Sequence, residues 1–424
     1  MKQLSLFLIG LGTLAAIANP FHPSALSGQS SSLWVGSWAS SQQLVELSNA
    51  IPPVTLRDGT LRQIVHLSIG GAGLRVQLSN RFGAAPLRID SVHVARSADP
   101  ATAKIVNGTD TPVQFFGNTE VTIPPGADYI SDPVTMPVVP QSDLAVTLHM
   151  EEQPSQQTGH PGSRATSYVV PGNHVADADF DSPLKIDHWY FLAGIDVPAT
   201  SPRVAAVVTL GDSITDGHGA TTNGNDRWPD ILVQRLDADQ QTHDISVLNQ
   251  GIGGNRVLLN GIGPNALARF NNDVLAQPGA RFLIILEGVN DLGVLAREHD
   301  VPKSEHDVMV AQIESAFQQM VTRGHECGMR VIGATILPFA GSEYYHPGPA
   351  TEADRRAIND WIRAKGNFDA VIDFDQVTRD PQNPTHLLPE YDSGDHLHPS
   401  PAGYAAMARS IPLSLFAPKA ISPH

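Results

Sequence analysis

Ser213 is the first residue in the chain that could do chemistry. It stands in "VVTLGDSITDG", residues 207–217, between Asp212 and Asp216 and flanked by Gly211 and Gly217. A serine hydroxyl is a weak nucleophile at neutral pH and needs an adjacent base, most often a histidine oriented by a carboxylate. The chain has 17 histidines, so position must select one. In "DSGDHLHPSPAGY", residues 392–404, Asp395 precedes His398 by three residues, and Pro399 and Pro401 restrict the backbone. That spacing lets a short turn bring the carboxylate onto Nδ1 and leave Nε2 facing outward. His396 competes for the same role, but as the immediate neighbour of Asp395 it is expected to point elsewhere. Charge that develops on a carbonyl oxygen needs donors aimed at it. Gly254 in "NQGIGGNR" can bring a backbone N–H close to a ligand, and Asn290 in "EGVNDLG" offers an uncharged carboxamide. With the Ser213 N–H, these make three donors around one point. Each stretch alone also has an ordinary reading: a turn, a flexible loop, a helix N-cap, and a metal pair or solvated turn.

The elements that must position these residues form one pattern. "VAAVVTL" (204–210), "DISVLN", "RFLIILEG", "RVIGATIL" and "FDAVIDF" read as strands buried on both faces. Helical stretches alternate with them, including "WPDILVQRLDA", "PNALARFNNDVL", a long amphipathic run from Ser304, "ATEADRRAINDWIRAK" and "SPAGYAAMARSIP". Such alternation predicts a parallel sheet in three layers, with ligands at the carboxyl ends of the strands. Each candidate stretch follows a separate strand, so all four have the same address.

Together the four stretches resemble the SGNH (GDSL) hydrolase family. "GDSIT" corresponds to its first block, "NQGIGGN" to the second, "GVND" to the third and "DHLHP" to the last, over about residues 204–415. The resemblance implies a three-layer α/β/α flavodoxin-like domain and ester hydrolysis. It implies Ser213, His398 and Asp395 as the triad, with Ser213, Gly254 and Asn290 as the oxyanion hole. Ile214 stands where the family name has Leu, and Gly253 beside Gly254 leaves the second-block donor open by one residue. The α/β-hydrolase elbow is absent, since Thr215 occupies the position of its second glycine.

Before this domain, residues 34–200 carry short alternating runs without helices and are expected to form an all-β sandwich or jelly-roll-like accessory domain. "VPATSPR", 197–203, reads as the linker to the hydrolase domain, 201–424. In "DLAVTLHM" Leu144, Val146, Leu148 and Met150 share one face, and Ala145, Thr147 and His149 the other. The accessory domain is expected to bind polysaccharide, shape the acyl site or pack on the catalytic domain. Trp34, Trp38 and Trp189 are expected in its core, with stacking on sugar rings as the alternative. Residues 1–18 read as a signal peptide cut near Ala18, with a retained N-terminal anchor as the alternative, residues 19–33 as a flexible leader, and the protein as secreted, extracellular or periplasmic. Past that segment no stretch is apolar enough to span a membrane. The formal net charge of −16 disfavours nucleic acid and anionic membranes as partners. The lone Cys327 is expected to be buried and inert, and His218 to be an exposed turn residue, with a place in the pocket lining as the alternative. Nothing demands a metal or an organic cofactor. The expected substrate is a small-molecule or polysaccharide ester with a short acyl group, carbohydrate O-acetyl esters among them. A broad short-chain carboxylesterase, lipase or thioesterase, an acyl transferase, and a carbohydrate-binding protein with a degenerate hydrolase domain are the competing readings.

Overall fold

The computed structural model describes residues 33–417, apart from 54 and 296. The expected signal peptide and the leader up to residue 32 lie outside the described residues. From Leu33 onward the chain forms one compact unit.

Its front part is antiparallel. One sheet runs Trp34–Ala39, Leu192–Pro198, Arg75–Ser79, Asp128–Ile130 in spatial order. The other runs Leu184–Ile186, Ser167–Pro171, Gly59–His66, Asp143–Met150, Ser91–Arg96, Thr111–Val113. Asp143–Met150 departs from the expected half-buried alternation, because both of its faces are buried. It pairs with a strand on each side. Its second face meets a small cluster of Ala103, Ile105, Ala145, Tyr168 and Phe180. Under that cluster the buried Arg62 guanidinium donates to the carbonyls of Ala103 and Asp177 and to Thr147 Oγ1. A long loop is thereby tied down onto what would otherwise be a solvated face.

The antiparallel strands end at Pro198 and the parallel ones begin at Ala205. Five parallel strands follow in chain order: Ala205–Gly211, Ile245–Gly251, Ala280–Leu286, Arg330–Ala334 and Ala370–Ile372. Their spatial order is second, first, third, fourth, fifth, the flavodoxin-like winding. Ala205–Gly211 is buried throughout, which is why it reads as an unbroken apolar run. Helices Trp228–Asp237, Lys303–Glu326, Pro349–Arg363 and Pro401–Ser410 cover the sheet. Among the described residues no helix is long and apolar enough to cross a membrane.

Three local expectations need correction. The helix expected over 264–275 is an α-turn, Ala266–Phe270, running into a π-turn, Asn271–Leu275. The expected strand 368–374 pairs only over Ala370–Ile372, because Asp373 caps a short helix, Phe374–Thr378. Cys327 is exposed, not buried, since it occupies the turn that closes the long helix Lys303–Glu326. Trp38 and Trp189 are core residues that pack edge to face, 4.8 Å between centroids.

Candidate active site

Ser213 opens a single-turn helix directly after the first parallel strand. Asp212 caps that turn by accepting the Ile214 N–H at 2.9 Å, which settles the ordinary role of one flanking carboxylate. Asp212 is fully enclosed. Burial pushes its carboxyl up to about 7, against the pull of the Ile214 N–H.

His398 comes from the loop that follows the fifth strand. Its Nε2 lies 2.8 Å from Ser213 Oγ, and its Nδ1 lies 2.6 Å from Asp395 Oδ2. The other Asp395 oxygen accepts the N–H groups of Leu397 and His398 at 3.0 and 2.9 Å. The three-residue spacing thus closes a turn around the carboxylate and holds it edge-on to the ring. Burial works against ionisation of Asp395, but the side-chain and backbone hydrogen bonds of His398 win, and its carboxyl sits well below the usual range. Proton on Nδ1 facing a carboxylate leaves Nε2 as acceptor for the serine hydroxyl. His396 also lines the cavity that holds Ser213, but it pairs with a different carboxylate. It bonds Asp392 through Nδ1 at 2.6 Å and is half exposed.

The two loops expected to supply donors reach the same place. Gly253 N–H is engaged by Asp216 Oδ2 at 3.1 Å, so of the adjacent glycines Gly254 is the one with an N–H outside that bond. Gly254 has φ +71°, a left-handed conformation that glycine adopts without steric cost. Asn290 spends one amide N–H on the carbonyl of Asn255 (2.7 Å), and its carboxamide oxygen accepts from the Tyr345 hydroxyl (2.6 Å). These two bonds orient the amide and leave its second N–H for a ligand. Asp291 accepts from Val257 and Leu258 N–H at 2.8 and 3.1 Å, tying the glycine loop to the third strand.

Ser213, Gly254, Asn290 and His398 line one cavity of about 910 Å³. Part of its wall belongs to the antiparallel region, through Glu46, Asn49, Arg164 and His188, and part to Ile262 and Tyr344. His218 is an exposed turn residue that also lines the cavity. Its ring lies 4.0 Å from the His398 ring, and its Nδ1 faces Arg164 Nη2 at 3.2 Å. Burial, His398 and Arg164 together lower His218 to about 4, so it stays neutral beside the base. The donor atoms of His218, Asp395 and His398 fall within 4.8 Å of one another, close enough for a metal ion. The His398 nitrogens are already engaged by Ser213 and Asp395, however, and the guanidinium on His218 would repel a second cation.

Beneath the cavity lies a residue that periodicity could not single out. Arg269, on the α-turn leading into the π-turn, is buried and uses all its donor groups. Nε bonds Asn255 Oδ1. Nη1 bonds Ser41 Oγ, the Gln250 carbonyl and Asp273. Nη2 bonds the Gly211 carbonyl at 2.9 Å and faces Glu287 Oε1 at 3.4 Å. It therefore clamps the ends of the first and second strands to the loop that carries Gly254 and Asn255. Burial and the neighbouring Asp212 charge push Glu287 well above the ordinary carboxyl range, against the pull of Arg269.

A hydroxyl, an imidazole and a carboxylate in series, with uncharged donors around one cavity, define the acyl-transfer class of serine enzymes. Residues 209–406 match the GDSL-like lipase/acylhydrolase family. The chain therefore carries a GDSL-like acylhydrolase domain and is a serine ester hydrolase. No curated protein matches it. Solved structures similar to it include a GDSL-like lipase from Bacteroides thetaiotaomicron, 19% identical over 50% of this chain and 88% of that one, TM-score 0.36. An acetylxylan esterase from Geobacillus stearothermophilus is 22% identical over 50% of this chain and 96% of that one, TM-score 0.37. A carbohydrate acetylesterase from Sinorhizobium meliloti is 15% identical over 49% and 95%, TM-score 0.36.

Proposed function

We propose that Ser213, His398 and Asp395 hydrolyse carboxylic esters through an acyl-enzyme, and that the acyl group is short and the alcohol large and polar, as in a carbohydrate ester. The observation that carries the proposal is the continuous hydrogen-bonded series from Ser213 Oγ through His398 to Asp395. His398 takes the Ser213 proton as the oxygen attacks the carbonyl. Ser213 N–H, Gly254 N–H and the free Asn290 N–H receive the oxyanion. His398 then protonates the departing alcohol, and water repeats the sequence to release the acid. The reading of the alcohol rests on the polar groups that the antiparallel region adds to the cavity, Glu46, Asn49, Arg164 and His188, with the exposed Tyr344 ring as a surface for stacking. We also propose export from the cytoplasm, on the apolar stretch that ends at Ala16-Ile17-Ala18; N-terminal sequencing of protein recovered outside the cells checks it.

The test is turnover of p-nitrophenyl esters of rising chain length, then of acetylated xylan, by the wild type and Ser213→Ala. The proposal expects the shortest esters and the acetylated polymer to be preferred, and Ser213→Ala to be inactive while still folded. Preference for long-chain esters would overturn the substrate class. Turnover by Ser213→Ala at the wild-type rate would overturn the mechanism.

A further inference from the structure

Asp216, the second carboxylate of "GDSITDG", has no part in the proton path from Ser213 to Asp395, yet it is almost fully buried. Its two oxygens divide between two regions of the chain. Oδ2 accepts the N–H of Gly253, the residue just before the proposed oxyanion donor Gly254. Oδ1 lies 2.9 Å from Nε2 of His160, which belongs to the antiparallel region. The His160 Nδ1 faces the carbonyl of Ser41 at 2.9 Å. A carbonyl only accepts, so Nδ1 donates to it, and the contact between Nε2 and Asp216 Oδ1 is a hydrogen bond through a second proton held between those two atoms. His160 is itself buried and stacks on Trp189, 5.8 Å between centroids at 27°. Close approach is built in from the same side. A Cβ on Gly162 would stand 1.8 Å from Asp216 Oδ2, so only glycine lets that backbone reach the carboxylate.

From this we infer that His160 and Asp216 are a positioning pair, through which the antiparallel region sets the orientation of the Gly253–Gly254 peptide and so the oxyanion hole. The inference rests on the reading of Gly254 as an oxyanion donor. It assigns the antiparallel region a role in the chemical step besides forming part of the cavity wall. Without the ring, Asp216 is free to turn, the Gly253 N–H loses a fixed acceptor, and the adjacent N–H no longer points at the carbonyl oxygen. His160 itself is not among the residues that line the cavity, so its loss acts through Asp216.

The experiment compares His160→Ala, His160→Gln, Ser68→Ala and Ser213→Ala in the full chain. Rates with p-nitrophenyl acetate are expressed per active site titrated with a fluorophosphonate. Ser68 is the control, because its hydroxyl makes another buried bond across the same boundary, to the Val247 carbonyl at 2.8 Å, away from the oxyanion loop. His160→Ala should lower kcat by about tenfold or more with KM within about twofold of wild type. His160→Gln keeps an N–H that can reach Asp216 and should recover most of the loss. Ser68→Ala should keep the wild-type kcat per active site, whatever its melting temperature. Wild-type kcat in His160→Ala, equal losses in the Ala and Gln variants, or an equal loss in Ser68→Ala would each overturn the inference. Should His160→Ala not fold, Asp216→Asn tests the bond from its other end, since a carboxamide has one acceptor oxygen in place of two. Its kcat should fall, and wild-type kcat would overturn the inference. Activity surviving in Ser213→Ala would instead remove the esterase mechanism on which the inference rests.

Discussion

At the scale of single residues, the account turns on what each group is bonded to. Asp395 stays ionised far into acid because His398 and two backbone N–H groups hold its charge against burial. Its proposed task is to fix the His398 tautomer. Asp395→Asn should therefore lower kcat by about 10⁴-fold, as when the wrong tautomer is imposed in comparable triads. Turnover per titrated active site measures this. Asn290→Ala should raise the barrier by about 2.7–4 kcal/mol, the usual cost of one oxyanion donor. Tyr345→Phe keeps the amide but frees its oxygen, so about 1 kcal/mol is expected, with KM unchanged. A Tyr345→Phe variant as slow as Asn290→Ala would show that the hydroxyl does more than orient the amide.

Secondary-structure elements bring these residues together because five strands end at one edge and the catalytic loops follow them. That much was legible in the sequence, because a strand buried on both faces is an apolar run and a loop after it is a short polar stretch with Gly, Asn or Asp. The same local logic separates Asp395–His398 from His396, since a turn of three residues suffices. Arg269 was not legible. Of its partners only Asp273, four residues on, stands at a helical spacing, and Ser41, Gly211, Gln250, Asn255 and Glu287 are joined to it by no spacing rule. The π-turn that follows it also breaks the helical period. The partners of His218 were hidden for the same reason, because Arg164 and His398 reach it from distant segments. Replacing Arg269 by Met would take the guanidinium from the buried Glu287 and leave Asp273 with only Arg81 and Ser41. We expect a loss of about 3–5 kcal/mol in the unfolding free energy, by analogy with other broken buried pairs. Denaturant titration reads it directly, and a loss below about 1 kcal/mol would mean that the clamp contributes little to the fold.

For the whole molecule, the two regions share the cavity and the buried bonds beneath it. The buried acids also give the fold a pH dependence with a definite sign. Asp212 and Asp291 move from 3.8 to about 7 and about 6, chiefly through burial. Across those ranges the unfolded chain has lost protons that the native chain keeps, so stability falls as pH rises. His66 adds to this. Burial lowers it, but Asp143 outweighs burial and raises it, so its contribution is present below about 6.5 and is lost as pH climbs through the raised value. His218, lowered to about 4, acts in the opposite sense, but its side chain is half exposed and solvent screens it. The melting temperature should thus be higher at about pH 5 than at about pH 8. Asp212→Asn, which keeps the capping oxygen without the titration, should flatten the difference. A melting temperature that rises over that interval would contradict this assignment of buried charge.

The central claim is a covalent one, and acid-quenching the enzyme during turnover of a p-nitrophenyl ester, followed by peptide mass mapping, addresses it most directly. The account predicts an acyl group on the peptide containing Ser213, formed in the wild type and missing in Ser213→Ala. An acyl group on another residue, or full turnover by a Ser213→Ala protein, would contradict it.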